Sequence, residues 1–140
     1  MSIASAPNEI LMSLPPDPES AGAVRRELAR RGLGEDVDHT VRLLATEVIS
    51  NSVRHARIRE RDSNGDGEII FFARVEGDFV RVEVADSGPG FDPDVRHTAA
   101  GFGLRLVDKL ASRWGTAQAP NGFRVWFEVD RRSGRFARAA

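Results

Sequence analysis

Two residues of one predicted helix, Glu47 and Asn51, have side chains that could take part in chemistry. Four residues make about one turn of α-helix, so these side chains lie one above the other on the same side. A carboxylate can accept a proton during a reaction, and a carboxamide oxygen beside it suits a hard cation. An amphipathic helix with polar edges would also carry such a pair, and the pair taken alone favours that simpler interpretation.

A second carboxylate, Asp86, ends a stretch in which valines occupy alternate positions from residue 80 to residue 84. This alternation predicts a strand and places Asp86 on the same inward face as the valines. An inward carboxylate costs free energy unless another group donates hydrogen bonds to it. Gly88 and Gly90 follow, and glycine lets the backbone turn sharply and approach a ligand closely. An aspartate that merely begins a turn is an equally good interpretation of this segment alone.

The third segment contains Gly101 and Gly103 at the start of a predicted helix that continues through Leu104. Free backbone amides at a helix N-terminus can hold phosphate oxygens, and the helix dipole favours the negative charge. The segment is not a Rossmann fingerprint, because it lacks the third glycine and no strand precedes it, and it is not a P-loop. A helix that simply opens on glycine is the alternative.

The elements that would position these segments follow from apolar periodicity and turn residues. Strands joined by short turns imply an antiparallel or mixed sheet, and three helices on one face of it give a two-layer α+β sandwich. The second helix has its predicted apolar stripe at Val37, Val41, Leu44 and Val48. The predicted helices cover residues 19–31, 35–57 and 101–113, and the predicted strands cover residues 9–14, 68–75, 79–86, 114–119 and 122–130.

The chain is predicted to form one domain over residues 9–130. Its 140 residues match the size of one ordinary domain, and 41% of them are hydrophobic, which is enough for a core. Residues 1–8 are expected to be a flexible arm, and residues 131–140 a flexible basic tail.

Composition argues against several classes of function. The formal net charge is −1, whereas a general nucleic-acid binder is usually strongly basic, so no direct contact with nucleic acid is expected. The absence of cysteine removes disulfides, thiolate metal sites and cysteine nucleophiles, and the three histidines show no metal-ligand spacing. No apolar run approaches the roughly 20 residues needed to cross a bilayer, and no signal peptide is recognisable. A cytoplasmic location without membrane association is therefore expected.

The order of the three segments resembles the N, G1 and G2 boxes of the GHKL, or histidine-kinase-like, ATPase superfamily. The order of the predicted elements is similar to that family's Bergerat fold. The short chain and the sequences at residues 47–56, 103–107 and 112–115 look most like the branch of anti-sigma factor serine-protein kinases. The resemblance covers about residues 9–130.

This resemblance implies a site for ATP and Mg²⁺. Asn51 would coordinate Mg²⁺, Glu47 would be the catalytic base toward a substrate serine, and Asp86 would accept a hydrogen bond from the adenine amino group. Residues 91–100 would form a short lid. The other residues that the resemblance assigns to the nucleotide are Arg54 and His55 on the phosphate side, Gly88 and Gly90 where the chain passes the nucleotide, and Gly101, Gly103 and Leu104 as backbone contacts to phosphate.

One departure from the family pattern concerns the last strand. Many relatives carry Gly-Thr at its start, with the threonine near adenine, whereas this chain has Gly122 and Phe123. The polar contact that the threonine would make is therefore missing here.

The partners implied by the resemblance are a sigma factor, which the protein would sequester, and a STAS-type anti-anti-sigma factor, which it would phosphorylate as a homodimer. A regulatory module that binds ATP without kinase activity is the main alternative. A histidine-kinase catalytic domain acting in trans ranks lower, because 140 residues leave no room for a phospho-accepting helical hairpin. An α+β interaction domain whose glycines are only turns is the last alternative.

Overall fold

The fold is built on one sheet covered by helices on one face. The computed structural model of the chain describes residues 2–4, 6–32, 37–60, 68–86, 101–119 and 122–131, with side chains at 6–32, 37–54, 68–86, 104–118 and 122–131. Its strands are β1 (Ser2–Ala4), β2 (Glu9–Leu14), β3 (Ile69–Glu76), β4 (Phe79–Asp86), β5 (Arg113–Ala119) and β6 (Gly122–Asp130).

All strand pairings in the described part of the chain are antiparallel, and the spatial order is β1-β2-β3-β4-β6-β5. Strands β3 and β4 form a hairpin whose turn contains Gly77 at φ 66°, a left-handed conformation that favours glycine. Apolar residues alternate along β2, β3, β4 and β6, so one face of the sheet is buried. This face is called the inner face below, and the opposite face the outer face.

The three helices are α1 (Glu19–Arg31), α2 (Asp38–Glu60) and α3 (Gly101–Leu110). α1 ends at Gly32, where φ is 64° and the N–H donates to the Leu28 carbonyl oxygen at 2.9 Å, as is usual for a glycine C-cap. α2 contacts both other helices as well as β3, β4 and β6, so it is the middle helix of the layer. The prediction of a two-layer α+β sandwich is confirmed.

The core fills the space between α2 and the inner face. The predicted stripe of α2 is confirmed, because Val37, Val41, Leu44 and Val48 are all buried. Phe71 and Phe127 are the largest fully buried side chains of the sheet. Leu104 and Val107 of α3 are buried as well.

Several boundaries differ from the prediction. β3 covers residues 69–76 in place of 68–75, and β5 begins at 113 in place of 114. Residues 2–4 were predicted as part of a flexible arm, but their backbone pairs with β2 and forms β1. Three residues are too few to show a clear alternation of apolar and polar side chains. α2 lies three residues later than predicted, over 38–60 in place of 35–57. α3 ends at Leu110 in place of residue 113, because Arg113 begins β5 opposite Glu128 of β6.

The β1–β2 connection is held to α1 by one side chain. Arg31, in the last turn of α1, donates from Nη2 to the carbonyl oxygens of Ala6, of Pro7 at 3.2 Å and of Glu9 at 3.0 Å. A guanidinium group has five N–H donors, so it can serve several carbonyls at once. This contact fixes the start of β2 relative to the helical layer.

Candidate functional site

The helix α2 is buried around most of its circumference. Besides the predicted stripe, Ala45, Ile49 and Val53 are each at most 3% exposed. Glu47, Asn51 and Arg54 lie along one edge of this buried surface, at i, i+4 and i+7. A carboxylate, a carboxamide and a guanidinium thus follow one another along about two turns.

Asn51 is the buried member of this row, with 8% of its surface exposed. Its Oδ1 accepts a hydrogen bond of 3.4 Å from Nη2 of Arg54, which is long for such a bond. Arg54 itself is exposed and Glu47 is half-buried. The amide oxygen of Asn51 is therefore only weakly bonded to the guanidinium group of Arg54.

Asp86 lies on the inner face, as the alternation of β4 predicts, and is 8% exposed. It follows Val80, Val82 and Val84, which are at most 2% exposed, on the same face. α2 packs directly on β4, the strand that Asp86 ends. The fold therefore directs Asn51 and Asp86 into the same layer between α2 and the sheet.

Buried polar side chains are few in the described residues: Ser20, Glu27, Asn51, Ser52 and Asp86. Two of them have roles in α1. Ser20 donates from Oγ to the Pro15 carbonyl oxygen at 2.7 Å, and Glu27 accepts from Nη2 of Arg30 at 2.5 Å. This bond holds the pKa of Glu27 below its ordinary value despite burial. Asn51 and Asp86 are the members of this set that the sequence predicted for a ligand.

The glycines predicted at the phosphates are described only in part. Gly101 and Gly103 lie in the first turn of α3, where a helix has free amides. The side chain of Leu104 is 3% exposed and packs in the core, so any contact to a ligand would come from its backbone. Gly88, Gly90 and the lid at 91–100 lie outside the described residues, as does the side chain of His55.

Two apolar residues flank Asp86; the resemblance had placed position 123 near the adenine, whereas Ile69 was not predicted at the site. Ile69 of β3 is directly opposite Asp86 on one side, and Phe123 of β6 is directly opposite on the other. Both are buried. The alternation in residues 122–130 marks Phe123 as inward, but its pairing with Asp86 depends on β6 lying next to β4, which no local pattern reveals.

Two cavities in the described part of the chain are not lined by Glu47 or Asn51. One of about 480 Å³ lies at the start of α1 and is lined by Pro15, Ser20 and Arg26 among others. Another, of about 430 Å³, reaches Asp86 and Phe123 but is otherwise lined mainly by outer-face residues such as Phe72 and Ala85. The layer between α2 and the sheet is a better candidate than either cavity, because it contains Asn51 as well as Asp86.

The outer face carries charges that pair with one another. Arg81 donates to Glu83 at 2.9 Å and to Glu128 at 2.6 Å, Arg113 donates to Glu128 at 2.7 Å, and Arg124 donates to Glu83 at 3.2 Å. We call these five residues the outer-face ladder. Burial tends to raise the pKa of Glu83 and of Glu128, but the hydrogen bonds from arginine outweigh it and lower both pKa values.

An aromatic ring lies against this ladder. The guanidinium carbon of Arg81 lies 4.4 Å from the centre of the Trp126 ring, a distance typical of a cation–π contact. Gly115 of β5 lies directly opposite Trp126, and a Cβ atom at Gly115 would come within 2.9 Å of the indole nitrogen. Trp126 alternates with the buried Val125 and Phe127 and so lies on the outer face.

No group of three or more His, Cys, Asp or Glu side chains is placed to hold a metal ion in the part of the chain that the structure describes. The donor set on α2 is compatible with a different arrangement. Mg²⁺ keeps several waters and usually binds one or two protein oxygens together with substrate phosphates. The amide oxygen of Asn51 could serve as such a ligand, with the carboxylate of Glu47 one turn away. Among the described helices, none is long and apolar enough to span a membrane.

Comparison with known proteins identifies one protein family and several similar sequences. Residues 14–129 match the histidine kinase-like ATPase domain. The chain is 30% identical over 103 residues to the serine-protein kinase RsbW of Listeria innocua and equally to that of Listeria monocytogenes serovar 1/2a. Each match covers 71% of this chain and 63% of the relative, so the chain spans less than two thirds of the length of these relatives.

A solved structure has a similar fold. It is the histidine kinase domain of the blue-light activated histidine kinase of Erythrobacter litoralis EL346, with a TM-score of 0.50 and 22% sequence identity. The similar region covers 67% of this chain and 44% of that one. At this identity the likeness concerns the fold alone.

Proposed function

This chain belongs to the histidine kinase-like ATPase domain family, and from that premise we propose that it binds Mg·ATP and phosphorylates a serine of a STAS-type anti-anti-sigma factor. In its other state it sequesters a sigma factor. The observation that carries this proposal is the placement of Asn51 and Asp86, two buried polar residues, on the apolar surfaces of α2 and β4. The similarity to serine-protein kinases supports the choice of serine as acceptor.

Each residue of the site has a role that its chemistry suits. The carboxylate of Asp86 accepts a hydrogen bond from the adenine amino group. Asn51 supplies an oxygen ligand to Mg²⁺, which neutralises phosphate charge when it is bound. Arg54, exposed beside Asn51, offers a second positive charge to the phosphates. The first-turn amides of α3, at Gly101 and Gly103, bind phosphate oxygens.

Glu47 is the base of the proposed reaction. Its carboxylate takes the proton of the serine hydroxyl while the serine oxygen bonds to the γ-phosphorus of ATP. The bond between the γ-phosphorus and the bridging oxygen breaks, which gives phosphoserine and ADP. Phosphoryl transfer needs mainly positioning and neutralisation of charge, so a half-buried carboxylate one turn from Asn51 is sufficient on the protein side.

The test is the substitution Glu47→Gln, assayed for transfer of radioactive γ-phosphate to a purified STAS-type protein and for Mg·ATP binding. A general base typically contributes 10²- to 10⁴-fold, so transfer should fall at least about 100-fold while affinity for ATP stays unchanged. Unchanged transfer by the variant would contradict the assigned role. Binding of Mg·ATP without any transfer by the wild type would favour the regulatory module that binds ATP without kinase activity.

The homodimer stays a prediction from the resemblance, and the cytoplasmic location stays a prediction from the sequence composition. Light scattering coupled to size-exclusion chromatography measures the first directly. A mass near 15.4 kDa, that of one chain, would contradict the dimer.

A further inference from the structure

The guanidinium group of Arg54 lies on the oxygen that the proposed site offers to Mg²⁺. Its Nη2 donates to Oδ1 of Asn51 at 3.4 Å, and the two residues are three positions apart in α2, close enough to meet on one side of the helix. Among the described residues, no carboxylate forms an ion pair with Arg54. The positive charge of Arg54 is therefore held by a neutral amide oxygen.

The amide oxygen of Asn51 cannot hold Arg54 and Mg²⁺ together. Asn51 is 8% exposed, so little of its surface is open to a second ligand. Two positive groups on one oxygen repel each other, and the repulsion is larger in a buried position than in water. A cation that binds Asn51 therefore has to displace Arg54 from it.

Arg54 is able to move to another partner. Its side chain is exposed, whereas Asn51 is fixed on the buried side of α2. A bond of 3.4 Å is long and therefore weak. Bonds from a guanidinium group to phosphate are stronger than bonds to a neutral acceptor, because the acceptor is charged as well. A phosphate chain beside α2 would therefore draw Arg54 away from Asn51.

On the premise of the proposed nucleotide site, we infer that Arg54 exchanges one partner for another when the nucleotide binds: it leaves the amide oxygen of Asn51 for the phosphates and so opens that oxygen to Mg²⁺. In the free protein Arg54 takes the place of the cation. The exchange makes the oxygen available only where phosphate charge is present. It also gives Asn51 two opposite effects, since Asn51 supports a nucleotide that brings Mg²⁺ and hinders one that comes without it.

The experiment measures the dissociation constants of Mg·ATP, and of ATP in excess EDTA, by calorimetry in the wild type and in Asn51→Ala. With Mg²⁺, the variant should bind at least about 10-fold more weakly, because an oxygen ligand of the cation is lost. In EDTA, it should bind roughly 3-fold more tightly, because Arg54 no longer has to break a bond. A net hydrogen bond changes an equilibrium constant by about 2- to 10-fold, and the bond to Asn51 is a long one.

Two controls identify the cause of this change of sign. Ser52→Ala removes another buried polar side chain of α2, and it should shift both constants in the same direction or not at all. Arg54→Met removes the donor and keeps the side chain long. The gain from Asn51→Ala in EDTA should therefore be absent when the double variant is compared with Arg54→Met.

The opposite signs separate the exchange from a structural defect, which weakens binding in both conditions. An affinity for ATP in EDTA that is unchanged or lower in Asn51→Ala overturns the inference, as does a gain that persists without Arg54. In both cases, binding of Mg·ATP by the wild type leaves the proposed function standing. A wild type that does not bind Mg·ATP overturns the proposed function, and the inference with it.

Discussion

The two faces of the sheet place charge in contrasting ways. On the outer face, the ladder of Arg81, Glu83, Arg113, Arg124 and Glu128 pairs every member with a neighbour of opposite charge. On the inner face, the described side chains of β4 and β6 are apolar up to Asp86 at the end of β4. Glu83 and Asp86 belong to the same strand, three residues apart, yet they lie on opposite faces.

This difference shows where a charged residue calls for a functional explanation. The charged residues of the ladder need no functional explanation, because each offsets the charge of its neighbour and solvent screens what remains of that charge. Asp86 lies instead at the end of an otherwise apolar, helix-covered face, where burial of a carboxylate costs free energy unless hydrogen bonds or a ligand offset it. We therefore assign binding to the inner face and attribute a stabilising role to the outer-face ladder.

The largest expected effect is a loss of stability, tested by comparing substitutions of two adjacent residues of β6. Phe127 is fully buried on the inner face, and Trp126 is half-buried on the outer face. Phe127→Ala should lower the free energy of unfolding by about 3–5 kcal/mol, because it leaves a cavity in the core. Trp126→Ala should cost about 1–2 kcal/mol, since it loses only surface packing and the contact with Arg81. Urea denaturation of both variants measures this, and equal losses would contradict the distinction between the faces.

The sequence predicts elements well where one face alone is buried. The strands at 9–14 and 122–130 and the helix at 19–31 have the predicted bounds. The end of α2 was predicted three residues too early, because no glycine or proline follows Arg57 at once to mark where the helix ends. The end of α3 was missed because the pairing of Arg113 with Glu128 overrides a helical pattern that runs on locally.

The candidate site was likewise predictable where local periodicity determines the position of a side chain. The inward position of Asp86 and the shared side of Glu47 and Asn51 could be predicted, because both depend on local periodicity. The pairing of Asp86 with Phe123 and the outer-face ladder depend on the order β4-β6-β5, so local periodicity could not predict them. That order joins segments about 40 residues apart and is set by the whole sheet. The resemblance alone placed position 123 near the adenine.

A smaller effect tests the packing of the outer face. In Gly115→Ala, the new Cβ would lie 2.9 Å from the indole nitrogen of Trp126, so the ring and Arg81 above it must move. We expect the free energy of unfolding to fall by about 1–3 kcal/mol, as for an overpacked site, and the tryptophan fluorescence to change. Gly22→Ala is the control. The neighbour there is the flexible end of Arg26, and alanine in a helix should stabilise by roughly 0.5–1 kcal/mol. If Gly115→Ala leaves the free energy of unfolding unchanged, the ring of Trp126 is not held in this position.

The smallest effect concerns pH. Glu128, whose pKa is lowered by Arg113 and Arg81 in spite of burial, holds fewer protons in the folded state than in the unfolded state near its ordinary pKa of 4.5. Its stabilising contribution is therefore complete above that value and is lost as pH falls through the lower folded pKa. Glu128→Gln should lower the free energy of unfolding by about 1 kcal/mol at pH 7 and by less at pH 3.

Thermal unfolding across this pH range measures the difference between Glu128→Gln and the wild type. Asp78→Asn, at an exposed turn, is the control and should follow the wild type at each pH. A difference that grows toward low pH would contradict the assigned sign.

The most direct test of the central claim is a calorimetric titration of Mg·ATP into the wild type, Asp86→Asn and Glu83→Gln. The two variants each remove one negative charge from β4, on opposite faces. The account predicts that Asp86→Asn weakens binding roughly 10- to 100-fold, the value of a hydrogen bond to a charged group, while Glu83→Gln leaves the affinity unchanged. Equal affinity of the wild type and Asp86→Asn, or no binding by the wild type at concentrations that detect millimolar affinity, would contradict it.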